Sequence, residues 1–327
     1  MNIVLFNTAI GTSNNGDYII CESAKERLAP LLNKSFVMEF SSHLNNLGIL
    51  HYLFPSSKYS FAKNCDYKFI LGTNLLTSNM FKSARQWPIV TMNRKIYHNS
   101  IMLGVGITYS DIEMDPFTRH MYSEILRKDI IHSVRDEKSK ELLESINGIR
   151  ALNTGCPTLW KLTPEVCAKI PQQKAKNVIV SVSGYKNQID KSADQKMVDI
   201  LESNYEDVYL WVQTTDDELY YKSLQHTKTY KAIYSLNQFE LVCRNNNVDY
   251  VGTRLHGGIL AMQNKVRSLI IEIDHRAKGF RIDNNINTVA RESIEKLELI
   301  INDVIETNII LNMDAIKEWE YQFNYII

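Results

Sequence analysis

Short apolar runs alternate with amphipathic stretches along most of the chain. Ile3–Phe6, Ser35–Phe40, Tyr67–Leu71, Ile89–Met92, Ile101–Val105 and Ile130–Val134 are each short, apolar and bounded by polar or turn-forming residues, which predicts strands. A helical pattern follows the first of them and runs to about Leu32. Another spans Asp136–Ile146, where Asp136 can cap the start and Leu142, Leu143 and Ile146 share one face. The pattern pauses after Trp160. The segment Leu162–Lys176 holds Pro164 and Pro171 among polar residues and reads as a linker. Then it restarts. Val178–Val182, Val208–Val212, Lys231–Tyr234, Asp249–Val251 and Ser268–Ile273 read as strands. Asp190–Ser203, Thr215–Leu224, Leu236–Asn246 and His256–Asn264 read as the helices between them, and the tail from Glu292 onward is helical in pattern.

Such alternation predicts mainly parallel sheets with helices on both faces. The expected architecture is α/β, with two doubly wound Rossmann-like domains facing a cleft at the carboxyl ends of their strands. The boundary falls between residues 1–161 and 162–327, and the second domain ends in helices. A length of 327 residues, about twice a common domain size, agrees with that count.

Composition narrows the function classes. Hydrophobic residues make up 44% and charged residues 23%, ordinary for a globular protein. Lys+Arg and Asp+Glu are both 37, so the net charge is zero and no nucleic-acid partner is indicated. Cys21, Cys65, Cys156, Cys167 and Cys243 are odd in number and widely spread, against a disulfide framework or a zinc site. Met1–Phe6 lacks a basic lead and reads as a strand rather than a signal peptide. No run approaches the ~20 apolar residues that span a bilayer. A cytoplasmic protein is expected, with peripheral contact at the inner membrane surface left open.

The candidate chemistry centres on Val248–Asn264, where an apolar strand runs through Gly252-Thr253-Arg254-Leu255-His256 into a helix. Free N–H groups at a helix start, including Gly257, attract anions. Arg254 can offer a fork to carboxylate or phosphate, and His256 can donate to phosphate or exchange a proton. A plainer reading pairs Arg254 with a surface carboxylate and makes His256 a cap. Both residues at one turn framed by Gly252, Gly257 and Gly258 favour a ligand site.

Three other segments could contribute. After Ser268–Ile273 the chain is expected to release Asp274, His275, Arg276 and Lys278 into a loop, where Lys278 would add charge and His275 could handle a proton; a solvated charged loop fits equally well. Arg135 lies between a strand and a helix cap, where it could reach the same cleft or pair locally. In the loop Gly11–Tyr18, Asn15 and Asp17 could bind hydroxyls and Asp17 could act as a base, or the loop could simply turn and cap. Gly72-Thr73-Asn74 and Gly104-Val105-Gly106 also end strands. Cys156, in Thr154-Gly155-Cys156-Pro157, has no evident base and reads as structural. There is no G-x-G-x-x-G, P-loop, G-x-S-x-G or H-E-x-x-H.

Together these residues resemble the polysaccharide pyruvyl transferase family. The resemblance is carried, in order along the chain, by Asn15-Gly16-Asp17, Ser133-Val134-Arg135-Asp136 with Ser139, Gly155-Cys156-Pro157, Gly252-Thr253-Arg254-Leu255-His256 and the later Lys278. It departs at Cys156, where the family commonly has an acidic residue. The resemblance implies a GT-B-like fold and transfer of a pyruvyl group from phosphoenolpyruvate to two hydroxyls of a sugar, whether free or linked to lipid or nucleotide. It implies a first domain on the acceptor side and a second on the phosphoenolpyruvate side. By that resemblance Arg254, His256 and Arg135 would contact the donor. In the mechanism this suggests, His256 could be the acid or could assist the leaving phosphate, and Asp17 is the candidate to orient or deprotonate the acceptor. No cofactor or metal enters that scheme. Acceptor pockets would lie on the loops Ser41–Lys63 and Tyr109–Phe117. Two competing expectations are a nucleotide-sugar glycosyltransferase and a non-catalytic glycan- or anion-binding protein of the same fold.

Overall fold

A computed structural model describes residues 1–54, 56–82, 87–90, 93–107 and 113–323. By its contacts the chain forms two units. The first comprises Met1–Thr12, Ile20–Pro157 and the tail from Asn312; the second comprises Ser13–Ile19 and Thr158–Leu311.

In the first unit, β1 (Asn2–Asn7), β2 (Phe36–Ser41), β3 (Tyr67–Leu71) and β4 (Ser100–Leu103) form a parallel sheet in the order β2-β1-β3-β4. β5 (His132–Val134) and β6 (Ala151–Asn153) pair in parallel; a bridge at Val105–Val134 sets β5 beside the end of β4, and another joins Ser100 of β4 to Leu126, ahead of β5. The His132 ring interrupts the ladder between β4 and β5. Its Nδ1 accepts the Met102 N–H at 3.1 Å, and its Nε2 lies 2.9 Å from the Arg127 carbonyl. These bonds assign a neutral imidazole with the proton on Nε2. The ring takes the place of a backbone acceptor. Burial lowers its pKa to about 4, against a smaller opposing effect of the Arg127 carbonyl.

The second unit is one six-stranded parallel sheet. Its strands are β7 (Asn177–Ser181), β8 (Val208–Trp211), β9 (Tyr230–Ile233), β10 (Val248–Gly252), β11 (Ser268–Glu272) and β12 (Thr288–Ala290). The order β12-β11-β10-β7-β8-β9 is the doubly wound order of dinucleotide-binding folds, and it reverses between β7 and β10. Val178, Val180, Leu210, Val251, Leu269 and Ile271 pack into one core on one face of this sheet. Strands covered on both faces read as continuous apolar runs, which is why their pattern shows in the sequence.

Four elements differ from expectation. Residues 88–90 carry no strand, and 91–92 lie outside the described residues. The Asn93 side chain accepts the Val90 N–H and donates to the Pro88 carbonyl, both at 2.8 Å, engaging groups that a sheet neighbour would need. The expected linker is packed: Leu162, Cys167 and Ile170 are buried, and contacts change unit at Pro157–Thr158. Asp274–Phe280 is helical rather than looped, because Asp274 caps the helix His275–Asn284 by accepting the Arg276 N–H at 2.9 Å. Of the tail, the helix Met313–Tyr321 belongs to the first unit, not the second. Trp319 packs edge-on against Phe69 at 6.4 Å between ring centroids, and Glu320 pairs with Arg27 at 2.7 Å. Among the described residues no helix is long and apolar enough to cross a membrane.

Candidate active site

The reversal of strand order in the second unit marks where doubly wound sheets bind ligands, outside the carboxyl ends of the two strands concerned. Here those ends are Ser181 of β7 and Gly252 of β10. A Cβ on Gly252 would collide with the Ser181 side chain and backbone, so a glycine is needed for the strands to end this close. The Thr253 N–H donates to the Ser181 carbonyl at 3.0 Å and the Arg254 N–H to Ser181 Oγ at 3.1 Å. Ser181 Oγ is 2.6 Å from Tyr250 Oη, whose hydroxyl donates to the Arg254 carbonyl at 2.7 Å. This closed ring of bonds holds Arg254 in extended backbone, φ −86° and ψ 99°, as the N-cap of the helix Leu255–Gln263. Burial raises the Tyr250 pKa, keeping its proton available for that bond.

No side chain caps this helix, and every residue from Leu255 to Met262 is buried. Its first-turn N–H groups form the positive end of the helix dipole. Gly257 and Gly258 let it lie on the sheet: added Cβ atoms would stand 2.7 Å from Tyr250 Oη and from Ile270 Cγ1, respectively. His256 is buried in the first turn.

Arg254 is itself buried. Its Nε donates to Asp217 Oδ2 at 2.9 Å, and its Nη2 donates to Asp217 Oδ1 and, at 3.1 Å, to Thr214 Oγ1. The guanidinium carbon lies 4.4 Å from the centroid of the Tyr185 ring. Nη1 is the one nitrogen outside these bonds. Asp217 is fully buried and also accepts the Thr214 N–H at 3.1 Å, the Thr214 hydroxyl at 2.9 Å and the Gly184 N–H at 2.9 Å. The expected surface carboxylate for Arg254 is thus a buried one. Asp217, Tyr185, Ser181 and Tyr250 were not singled out from the sequence. The pattern Thr214-x-x-Asp217 signals a helix start, which it is, but says nothing of an arginine distant along the chain.

The loop before the first long helix falls with the second unit. Asn15 Nδ2 donates to the Val212 and Tyr234 carbonyls, each at 3.1 Å, and its backbone N–H to the Gln213 carbonyl at 2.9 Å. Its amide is therefore engaged at the ends of β8 and β9. Asp17 is half-buried in the first turn of the helix Asn15–Leu32. His275 and Lys278 are exposed on the helix His275–Asn284.

Arg135 stands just beyond the carboxyl end of β5 in the first unit. It is buried between β5 and the cap Asp136, with Nη2 donating to Asn74 Oδ1 and Nε 3.6 Å from Asp136 Oδ2. A Cβ on Gly106 would run into its guanidinium. Asp136 accepts the Ser139 N–H at 2.8 Å. Cys156 is a buried thiol in the same unit. The loop positions 55 and 109–112, within the segments expected to serve an acceptor, lie outside the described residues. Among the described residues no group of three or more His, Cys, Asp or Glu is placed to hold a metal ion.

A family model described as polysaccharide pyruvyl transferase matches residues 14–275. No curated protein matches the sequence. Among solved structures, the UDP-GlcNAc 2-epimerase of Methanocaldococcus jannaschii, in complex with UDP-GlcNAc and UDP, is similar with a TM-score of 0.52 and 13% identity over 99% of each chain. The E. coli heptosyltransferase WaaC follows at a TM-score of 0.38 and 11% identity, covering 83% of this chain and 88% of that one. The wall teichoic acid polymerase TagF follows at 0.40 and 13%, covering 99% and 82%. Identities this low bear on the fold alone, and the first match agrees with a GT-B-like chain of two Rossmann-like units.

Proposed function

The chain belongs to the polysaccharide pyruvyl transferase family, and we propose that it moves the pyruvyl group of phosphoenolpyruvate onto a sugar of a surface polysaccharide or its precursor, closing a cyclic ketal on two hydroxyls. One observation carries this reading: a buried, uncapped helix start at the reversal of strand order, with Arg254 as its N-cap. Such a site suits a small anion bearing carboxylate and phosphate.

Arg254, through Nη1, and the Gly257 N–H bind the donor in this scheme. His256 delivers a proton to the methylene carbon, leaving an oxocarbenium-like centre at C2. A sugar hydroxyl attacks C2 and gives up its proton to a base, for which Asp17 is the candidate. The C2–O bond to phosphate then breaks, phosphate leaves with its electron pair, and the second hydroxyl closes the ketal with loss of its proton. Lys278 and His275 supply charge at the rim, and Asn15 supports the loop that carries Asp17. Arg135 is an anion-contacting residue at the carboxyl end of β5 in its own unit. The chemistry is acid–base throughout and asks for no cofactor. The acceptor sugar is free, lipid-linked or nucleotide-linked, and the enzyme works in the cytoplasm or at the inner membrane surface.

A thermal shift screen tests the donor. Phosphoenolpyruvate at a hundredfold excess over its Kd should stabilise the protein by about 2.7 kcal/mol with no nucleotide sugar present. With donor and acceptor sugar, phosphate release and a ketal mass on the sugar should appear together, and Arg254→Lys should lose both. Protection by a nucleotide sugar with none by phosphoenolpyruvate would reject the reading.

A further inference from the structure

Asp217 makes no bond to the backbone of the helix start at which the donor is placed, yet it joins the ends of three strands beside it. Its carboxylate accepts Gly184 N–H from beyond β7, Thr214 N–H and Oγ–H from beyond β8, and the Arg254 fork from beyond β10. These strands are neighbours in the sheet. The approach is close: a Cβ on Gly184 would collide with the backbone of Asp216, so a side chain there would push the loop off Asp217. The same loop carries Tyr185, whose ring lies against the Arg254 guanidinium. One buried carboxylate therefore holds the arginine and the aromatic face on which it rests.

We propose that Asp217 is a positioning residue for the donor: it fixes the Arg254 guanidinium through Nε and Nη2, leaving Nη1 for the anion. This rests on the reading of Arg254 as a donor-binding residue. An arginine side chain has several rotatable bonds and loses rotamer freedom when it binds. Here the fork and the Tyr185 ring have already removed that freedom, so the anion meets a preset donor edge. The arrangement has an electrostatic cost, because Asp217 offsets the arginine charge. Positioning and charge therefore predict opposite signs. If Arg254 acted only as a charge, removing the Asp217 charge would tighten anion binding. If Asp217 positions Arg254, removing it weakens binding.

The experiment is calorimetric titration of phosphoenolpyruvate into the full chain, for the native protein, Asp217→Asn, Asp217→Glu, Arg254→Lys and the double variant Asp217→Asn/Arg254→Lys. Asp217→Asn should weaken binding about tenfold or more, as misplacing a contact does. Asp217→Glu, which keeps the charge but moves the carboxylate, should also weaken it. In the Arg254→Lys background, Asp217→Asn should change affinity by less than about twofold, since its effect runs through the arginine. Thr214→Val, a milder change with the folded state checked by circular dichroism, should give a smaller loss of the same sign if Asp217→Asn does not fold. Unchanged or tighter binding by folded Asp217→Asn or Thr214→Val overturns the positioning role and leaves the functional reading standing. A native protein that binds no phosphoenolpyruvate overturns both.

Discussion

His132 should make the first unit sensitive to pH in a range where carboxylates stay ionised. In the fold its ring is neutral, with Nδ1 accepting the Met102 N–H and Nε2 bonded to the Arg127 carbonyl. Protonation would place a hydrogen on Nδ1 against the Met102 donor. Burial brings the folded-state pKa to about 4, while an unfolded chain has the ordinary value of about 6.5. Between these values the unfolded chain binds the proton more strongly, so stability is full above the unfolded value and falls as pH drops toward the folded one. For one group with these values, moving from pH 7.5 to 5.5 costs about 1.3 kcal/mol, and reaching pH 4.5 about 2.5 kcal/mol. Urea denaturation at the two higher pH values, followed by hydrogen exchange in peptides covering β4 and β5, measures the loss in the unit concerned. His132→Asn lowers stability at every pH but should remove this dependence. An NMR titration should show the His132 ring neutral down to about pH 5, with its single proton on Nε2. A ring that titrates near 6.5, or a wild-type stability flat from pH 7.5 to 5.5, would refute the reasoning.

Two further outcomes follow from buried contacts. Arg254→Met should destabilise the second unit by about 3–5 kcal/mol, because it strands the Asp217 carboxylate, and Arg254→Met/Asp217→Leu should recover part of that loss; urea denaturation compares the three proteins. Trp319→Ala should cost the first unit about 3–5 kcal/mol through the cavity it leaves beside Phe69, read as faster hydrogen exchange in β3 with the second unit unchanged.

Much of this fold is legible in the sequence, because parallel strands buried on both faces must be apolar runs and their ends must turn. The turn at Gly252–Gly257 shows for the same reason. Gly252 and Gly257 sit where a side chain would strike Ser181 or Tyr250, and such close approach leaves glycine in the sequence. What stays hidden is partnership at a distance. Asp217 pairs with Arg254 across 37 positions, and Asn15 bonds to a carbonyl 219 positions away; no local pattern reports either. Asp217 also stands beside Asp216 at a helix start, so its acidity has a sufficient local explanation. Ile89–Met92 has the apolar character of a strand, but Asn93 turns the backbone on itself. Asp274–Phe280 is rich in charge and carries Gly279, which suggests a loop, yet the Asp274 cap starts a helix.

The return of Met313–Tyr321 to the first unit bears on the order in which the protein can fold as it is synthesised. Domains generally fold as units during synthesis, the earlier one first. Here the first unit cannot cover the Phe69 side of its sheet when its strands emerge, because Trp319 and Phe323, which pack on Phe69, are made only after the second unit. The second unit, whose residues other than Ser13–Ile19 form the continuous stretch Thr158–Leu311, is complete before them. On the ribosome the later unit is therefore finished first, and the earlier one waits with Phe69 uncovered until Met313–Tyr321 arrives.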